Sequence, residues 1–239
     1  MKTILAALLF TLPALAVALD LEGYYITPKV GASQSFNTGS ANYTDEQGVA
    51  TFFQGEDLGT GTAFGFSVGK YLTDNFRLEL EAIKRTDYEY SRDQVTSIEE
   101  NTKLRAKIET HALFINGFYN FQPFSIVNTS ITPYLGGGLG VSRNKMDTNY
   151  LYSSLGGAFF IDGDSINQFA HKLSAGILVS LTDKLSLDVN YQYVDLGEFE
   201  SGTVIQSPTE LVDGELGRGF KGGRIKSQEI MFGLQYKFN

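Results

Sequence analysis

The chain ends in the segment IMFGLQYKFN, residues 230–239. Its large apolar side chains occupy every second position: Ile230, Phe232, Leu234, Tyr236 and Phe238. The positions between them are mostly small, polar or charged. They share the other face of an extended chain, because successive side chains of a strand point to opposite sides. This alternation predicts a β-strand, and its length matches the roughly 9–11 residues that a tilted strand needs to cross a lipid bilayer.

The same alternation recurs in the interior of the chain. In segment 76–82, apolar residues alternate with Arg77, Glu79 and Glu81. Similar runs occupy 135–141, 173–181 and 185–193. A soluble sandwich or barrel would turn an apolar face inward and leave its charges outside. Charges and glycines on the polar face instead favour a barrel with a polar interior and an apolar exterior that contacts lipid.

Eight runs of this kind are separated by segments of two lengths. The predicted strands lie near 21–34, 61–72, 76–89, 103–119, 131–142, 168–181, 185–196 and 226–238. The longer connections lie near 35–60, 90–102, 143–167 and 197–225, and the others are shorter turns. Long outer loops and short periplasmic turns are typical of membrane barrels. The sequence therefore predicts an all-β fold, an eight-stranded antiparallel transmembrane β-barrel with long extracellular loops and short periplasmic turns.

The first twenty residues, MKTILAALLFTLPALAVALD, have the layout of an export signal. Lys2 supplies the positive region, residues 4–12 form an apolar core, and 16–18 (AVA) is a small-x-small cleavage site. The apolar stretch is short for a helix that spans a membrane. We therefore expect a signal peptide at 1–18 and an outer-membrane β-barrel domain at 19–239.

Composition and charge exclude several classes of function. The 239 residues contain no cysteine, which removes disulfides, thiolate metal sites and cysteine nucleophiles. Two histidines, His111 and His171, are too few for a multi-histidine metal centre. The net charge of −8 argues against nucleic acid as a partner, because such proteins need a basic face. We expect no metal and no cofactor.

Several motifs resemble those of a known family. The segments 131–141 (ITPYLGGGLGV) and 191–197 (YQYVDLG) resemble strands five and seven of small OmpA/OmpX-like outer-membrane barrels. The turns 72–75 (LTDN) and 181–184 (LTDK) and the aromatic last strand belong to the same pattern. The resemblance covers nearly all of 19–239 and is nearest to opacity-protein-like surface antigens. It implies an outer-membrane protein whose loops carry its function.

The resemblance also implies a partner for the last strand. In this family the barrel assembly machinery reads the C-terminal strand, here the face formed by Ile230, Phe232, Leu234, Tyr236 and Phe238. Family members usually end on the aromatic residue itself, whereas Asn239 follows Phe238 in this chain.

Charged residues on the polar strand faces are candidates for a network inside the barrel. The predicted lumen residues are Arg77, Glu79, Glu81, Lys107, Glu109, Lys172 and Asp188. An eight-stranded barrel is just wide enough for side chains to fill. Buried charges must be paired or hydrated, so these residues either close the lumen or line a thin water path.

Two further sets of residues are expected to contact lipid. Aromatic residues near the predicted strand ends are candidates for the interfacial girdles of a membrane barrel: Tyr71, Phe76, Phe118, Tyr119, Phe121, Tyr134, Tyr191 and Tyr193. Basic residues next to the last strand form a candidate patch for the phosphates of outer-membrane lipid: Arg218, Lys221, Arg224 and Lys226.

Signals for catalysis are weak. Residues 65–69 (GFSVG) match G-x-S-x-G, but a nucleophile elbow needs a strand, a sharp turn and a helix, and here the motif lies inside one alternating run. His111 and His171 lie in predicted strands near outer loops, without a compact pairing to a serine or a carboxylate. We therefore assign no catalytic residue.

Three hypotheses of function remain. The first is a surface protein that displays its loops for adhesion, host or matrix contact, or envelope integrity. The second is a small pore for ions or small solutes, which predicts ion conductance. The third is an outer-membrane hydrolase or protease that acts on lipid or peptide, which predicts a turnover that is lost when a histidine is replaced.

Overall fold

The computed structural model describes residues 21–36, 41–44, 50–53, 57–95, 100–127, 129–152, 158–206, 214–215 and 221–238. The predicted signal peptide, 1–18, lies outside the described residues. Eight long strands dominate: β1 (Tyr24–Ser35), β2 (Thr60–Tyr71), β3 (Phe76–Val95), β4 (Glu100–Asn120), β5 (Thr129–Met146), β6 (Ala158–Ser180), β7 (Leu185–Asp195) and β8 (Lys226–Lys237). Within the described segments, no helix combines the length and the apolar character needed to cross a membrane.

Each long strand pairs in antiparallel fashion with its neighbours in the chain, and the sheet closes on itself. The closing seam joins β1 to β8, with Ile26 opposite Tyr236 and Val30 opposite Phe232. The other seven pairings follow chain order from β1 to β8. Closure leaves no free edge along the barrel wall, as backbone polar groups in a bilayer require. The predicted eight-stranded antiparallel barrel is confirmed.

Short strands lie in the connections at both ends of this barrel. Phe124–Ile126 pairs with the start of β5 in the short connection between β4 and β5. The others lie in the long connections: Ala41–Thr44 with Ala50–Phe53, Asn149–Tyr152 against β4 and β6, and Ser201–Gln206 against β6 and Gly214–Glu215.

Two predicted loops are wrong in their extent. The β3–β4 ladder continues to the pair of Val95 with Glu100, and β5–β6 pairing continues to Met146 with Asp164. Segments 90–102 and 143–167 therefore consist largely of strand. Alternation ends there because both faces of a strand beyond the bilayer contact water or other loops, so no apolar face is needed.

The two faces of the barrel wall are reversed relative to a soluble protein. On β2, Phe64, Phe66 and Val68 are exposed on the outside, while Ser67 between them is fully buried. On β3, Leu78 and Leu80 are exposed, and the charged residues that alternate with them are buried. The exposed side chains form the apolar belt that contacts lipid, and the buried polar ones fill the lumen.

The matching Leu-Thr-Asp motifs form matching turns. In 72–75, the Thr73 hydroxyl accepts hydrogen bonds from the backbone N–H groups of Asn75 and Phe76. In 181–184, the Thr182 hydroxyl accepts the same two bonds from Lys184 and Leu185. A threonine that caps its own turn in this way stabilises a tight reversal at the periplasmic end.

Candidate functional site in the barrel lumen

A cluster of four charged side chains occupies the centre of the lumen. The Lys29 ammonium lies 2.6 Å from a carboxylate oxygen of Glu79 and 2.9 Å from one of Glu81. The other Glu81 oxygen lies 2.7 Å from the ammonium of Lys172. None of these side chains is more than 5% exposed. Because unpaired charges are costly at this depth, the pairs hold β1, β3 and β6 together across the lumen.

Arg77 forms a second layer between this cluster and the periplasmic end. Its guanidinium carbon lies 4.2 Å from the ring centroid of Phe118 and 4.5 Å from that of Tyr134. It donates a hydrogen bond of 3.2 Å to the Tyr25 hydroxyl, which donates to Glu79. Cation–π contacts are strongest where water is excluded, and the rings exclude water from this buried guanidinium.

The hydroxyl of Tyr134 extends the same layer to the opposite wall. It donates a hydrogen bond of 2.5 Å to the carboxylate of Asp188 on β7. Phe118 and Tyr134 therefore lie inside the barrel. Tyr71 does too, because its hydroxyl donates a hydrogen bond to the buried Gln235. The prediction of these three as girdle residues is wrong. In the alternation of their strands, these residues occupy positions that face the lumen. The prediction considered only how near they lie to the strand ends, and not which face they occupy.

A third layer lies toward the extracellular end and is built around Glu229 on β8. Arg85 donates to both of its carboxylate oxygens, at 2.5 and 3.0 Å. Glu229 also accepts hydrogen bonds from the hydroxyls of Ser33 and Ser227 and from the amide of Gln192. A bidentate arginine pair with further donors satisfies the carboxylate completely and fixes its geometry.

Apolar side chains cover the extracellular side of these charges. A contiguous buried cluster fills this end of the barrel: Leu58, Ala63, Ile83, Tyr88, Ala106, Ile108, Ala112, Phe114, Met146, Ile161, Ala170, Val194, Leu196, Phe199, Ile225 and Met231. It meets the charged cluster where the Lys172 ammonium lies 5.0 Å from the centre of the Phe114 ring. At the other end, a periplasmic cavity of about 980 Å³ is lined by residues such as Tyr71, Asn120 and Gln235. None of the central charged residues lines this cavity, so the layers separate the two ends.

The structure brings together most of the charges that the sequence assigned to the lumen. Arg77, Glu79, Glu81, Lys172 and Asp188 are all buried there. Lys107 and Glu109 are not: both lie on the outer face of β4, and Glu109 pairs at 3.0 Å with the exposed Lys84. Their assignment to the lumen is wrong, because they lie beyond the apolar belt, where an outward-facing charge contacts water rather than lipid.

Three central residues were missed from the sequence: Lys29, Arg85 and Glu229. Arg85 shares the parity of predicted lumen residues on β3, whereas no lumen residue was predicted on β1 or β8. Glu229 continues the face of Gln235, and Arg85 continues that of Glu81. Extending the polar face of each strand by a few residues would have found them.

The candidate catalytic residues do not form a catalytic arrangement. Ser67 is fully buried within β2, and its hydroxyl lies 3.4 Å from the backbone oxygen of Thr27. His111 faces outward, 3.9 Å from Glu109, and His171 stacks on Phe169 on the outer wall. In the part of the chain that the structure describes, no group of three metal-binding side chains converges.

Two residues of the predicted basic patch beside the last strand pair with carboxylates. Arg224 donates to both carboxylate oxygens of Asp195, and Lys221 lies 3.2 Å from Glu200. The hydrogen bond to Asp195 raises the pKa of the Arg224 guanidinium, which therefore stays charged within this pair. Lys226 begins β8 opposite Asp195, and Arg218 lies outside the described residues. Arg224 thereby holds the last long connection to β7, and the patch as an anion site stays a prediction.

Comparison with known proteins agrees with this architecture. The family model of the outer membrane protein beta-barrel domain matches residues 3–238. The chain belongs to this family. Membership places the protein in the outer membrane and fixes the direction of the barrel, with its long connections outside the cell and its short turns in the periplasm.

Individual relatives span nearly the whole chain. The outer membrane protein PagN of Salmonella typhimurium is 27% identical over 234 residues, which cover 93% of each chain. The crystal structure of Neisserial surface protein A has a TM-score of 0.51 at 15% identity and covers 91% of this chain and 98% of that one. The outer membrane protease OmpT of Escherichia coli has a TM-score of 0.53 at 10% identity and covers 91% of this chain and 97% of that one.

The structural likenesses show the fold alone. Because a protease and a surface protein share it, the fold does not decide between display and catalysis. The decision rests on the residues of the lumen and the loops.

Proposed function

We propose that the protein is a closed outer-membrane barrel that displays its extracellular segments for adhesion to host cells or matrix, without conducting ions and without catalysis. One observation carries this proposal: layers of buried, mutually paired side chains close the lumen between its periplasmic cavity and its extracellular end. The barrel then serves as a rigid support, and the segments outside the membrane carry the function.

The lumen layers argue against a diffusion pore. A pore needs a continuous hydrated path, and charges that line such a path are exposed to water. Here the four central charges are almost completely buried. The extracellular apolar cluster would also have to be hydrated for ions to pass, at the full cost of exposing apolar surface to water.

The side chains that could catalyse a reaction argue against an enzyme. The hydroxyl of Ser67 is buried in the wall, and the two histidines face the outside of the barrel, each without a nucleophile among its observed contacts. A general base must lie within hydrogen-bond reach of the group it activates.

Described parts of the extracellular connections are tied to the barrel. The β3–β4 ladder continues well past the apolar belt, to Val95 and Glu100. The connection after β7 is held to the barrel by Arg224 and Asp195, and Glu200 pairs with Lys221 within the connection. A preorganised surface binds a partner with a smaller entropic cost than a flexible loop does.

Exchange of the extracellular connections tests this proposal. A non-adherent bacterial host that displays the protein is expected to adhere several-fold more to epithelial monolayers or immobilised matrix proteins than the host alone. Replacing 196–225 by a short turn is expected to return adhesion to that of the host.

Two controls keep this result interpretable. A shift in mobility between unboiled and boiled samples on a gel reports whether each variant has folded. Replacing the periplasmic turn 181–184 with another short turn is expected to leave adhesion unchanged. Adhesion that survives removal of both 36–59 and 196–225, or a folded wild-type protein that promotes none, contradicts the proposal.

A further inference from the structure

A row of basic residues crosses the outer wall of the barrel at the extracellular edge of the apolar belt. Lys84 on β3 lies opposite His111 on β4, and His111 lies opposite Arg143 on β5. Each is the first polar residue that follows the exposed apolar positions of its strand. On β1 and β8 the corresponding residues are neutral, Gln34 and Gln228.

An apolar groove begins directly below this row. It has a volume of about 710 Å³, and the three basic residues line one end of it. Toward the membrane it is lined by Phe64, Phe66, Leu113 and Val141, all exposed on the outer wall. A groove with cations at its aqueous end and apolar walls toward the bilayer matches a molecule with an anionic head and acyl chains.

The two cations of this row, Lys84 and Arg143, remain available to an anion. Lys84 pairs with Glu109 at 3.0 Å, but the two side chains are 42% and 36% exposed, and pairs of this kind contribute little. Arg143 donates two hydrogen bonds to the neutral hydroxyl of Ser165, which leaves its charge uncompensated by that contact. The His111 side chain is 55% exposed.

We propose that this row and groove bind a phosphorylated, acylated glycolipid of the outer leaflet. Its phosphates would bind Lys84 and Arg143, and an acyl chain would lie in the groove. Adjacent strands are about 4.8 Å apart, so the row spans about 10 Å, the width of a sugar headgroup that carries more than one phosphate. Arginine and lysine are the usual partners of phosphate, and Asn167, opposite Arg143, adds a neutral group suited to a sugar hydroxyl.

The site is separate from the lumen and from the extracellular connections. It lies on the outer face of β3–β5, where the lipid is the surrounding solvent. In the predicted basic patch next to β8, Arg224 pairs with Asp195 and Lys221 pairs with Glu200. Arg143, by contrast, contacts only the neutral Ser165 hydroxyl among its observed hydrogen-bond partners.

Native mass spectrometry of the refolded barrel in neutral detergent tests this inference, with bisphosphorylated lipid A as the probe. The wild-type protein is expected to retain lipid A and to discriminate against phosphatidylcholine. Lys84→Gln combined with Arg143→Gln is expected to weaken retention about tenfold or more, since two charge-assisted hydrogen-bond partners are lost. Lys70→Gln with Lys237→Gln removes the same charge at the periplasmic end and is expected to change it less than about twofold.

A further variant covers the case in which the double variant fails to fold. Glu109→Gln releases Lys84 from its surface pair and is expected to increase lipid A retention about twofold. Equal retention of lipid A and phosphatidylcholine, equal losses in the two double variants, or a decrease with Glu109→Gln would overturn the proposal. Displacement of lipid A by millimolar inorganic phosphate would also overturn it, because the site would then recognise free phosphate.

Discussion

Replacing Glu81 with glutamine is expected to lower the free energy of unfolding by about 3–5 kcal/mol, the usual cost of removing one partner of a buried ion pair. Glu81 accepts hydrogen bonds from Lys29 and Lys172 on opposite walls of the lumen. Glutamine preserves the shape but removes the charge. Lys29 keeps Glu79, whereas Lys172 keeps only the neutral Gln192 among its observed hydrogen-bond partners.

Urea titration of the refolded protein, followed by circular dichroism or by the fraction that migrates as folded on an unboiled gel, measures this effect. Glu89→Gln removes an exposed carboxylate from the same strand and is expected to change stability by less than about 0.5 kcal/mol. Adding Lys172→Met to Glu81→Gln removes the uncompensated cation and is expected to restore at least half of the loss. Equal stability of Glu81→Gln and Glu89→Gln would show that the central pairs do not hold the barrel.

Replacing Arg85 with methionine is expected to have an effect of similar size, about 3 kcal/mol or more, for the opposite reason. Here the group left behind is a carboxylate: Glu229 would keep its hydroxyl and amide donors but lose its cation. The site is fully buried, so water cannot replace the lost partner without opening the extracellular layer.

A double-mutant cycle separates the interaction from the cost of each truncation. Arg85→Met combined with Glu229→Leu places apolar side chains beside Tyr88 and is expected to be more stable than either single variant. Arg143→Met, at an exposed arginine, is the matched control, with an expected change below about 1 kcal/mol in detergent without lipid A. Additive losses in the cycle would show that Arg85 and Glu229 do not act as a pair.

The barrel itself could be predicted from the sequence because lipid imposes a strict period on the strands that cross it. Segment 230–238 and the runs at 76–82 and 185–193 alternate without interruption, and each is found as strand. Beyond the bilayer this constraint disappears. The end of β3, residues 90–95, and the start of β6, residues 158–167, were therefore predicted as loops.

The same physics decides which site residues could be predicted. Arg77, Glu79 and Glu81 alternate with leucines, so the sequence could predict that they face the lumen. Lys107 has the outward parity of Leu113 and Ile115 on β4, so its charge rather than its position in the alternation led to the wrong assignment. The pairing of these charges could not be predicted from the sequence. The contacts of Lys29 with β3 and of Arg85 with Glu229 join residues far apart in the chain, and they form only when the barrel closes.

The basic row on the outer wall was hidden for a related reason. Lys84, His111 and Arg143 are unremarkable when each is taken in its own strand. Only the register of three consecutive strands brings them into one line, above one groove. Register depends on turn geometry and on closure, which the sequence pattern specifies only loosely.

Single-channel recording tests the central claim, that the lumen is closed, most directly. The predicted mature chain, residues 19–239, would be refolded, shown to be folded by its unboiled gel mobility, and inserted into a planar bilayer. The closed lumen predicts a silent bilayer, with the same silence for Lys70→Gln, whose charge lies on the exposed periplasmic end of β2. Reproducible conductance steps from the folded wild-type protein, altered in size or ion selectivity by Lys172→Met, would contradict the account and identify the lumen charges as the lining of a pore.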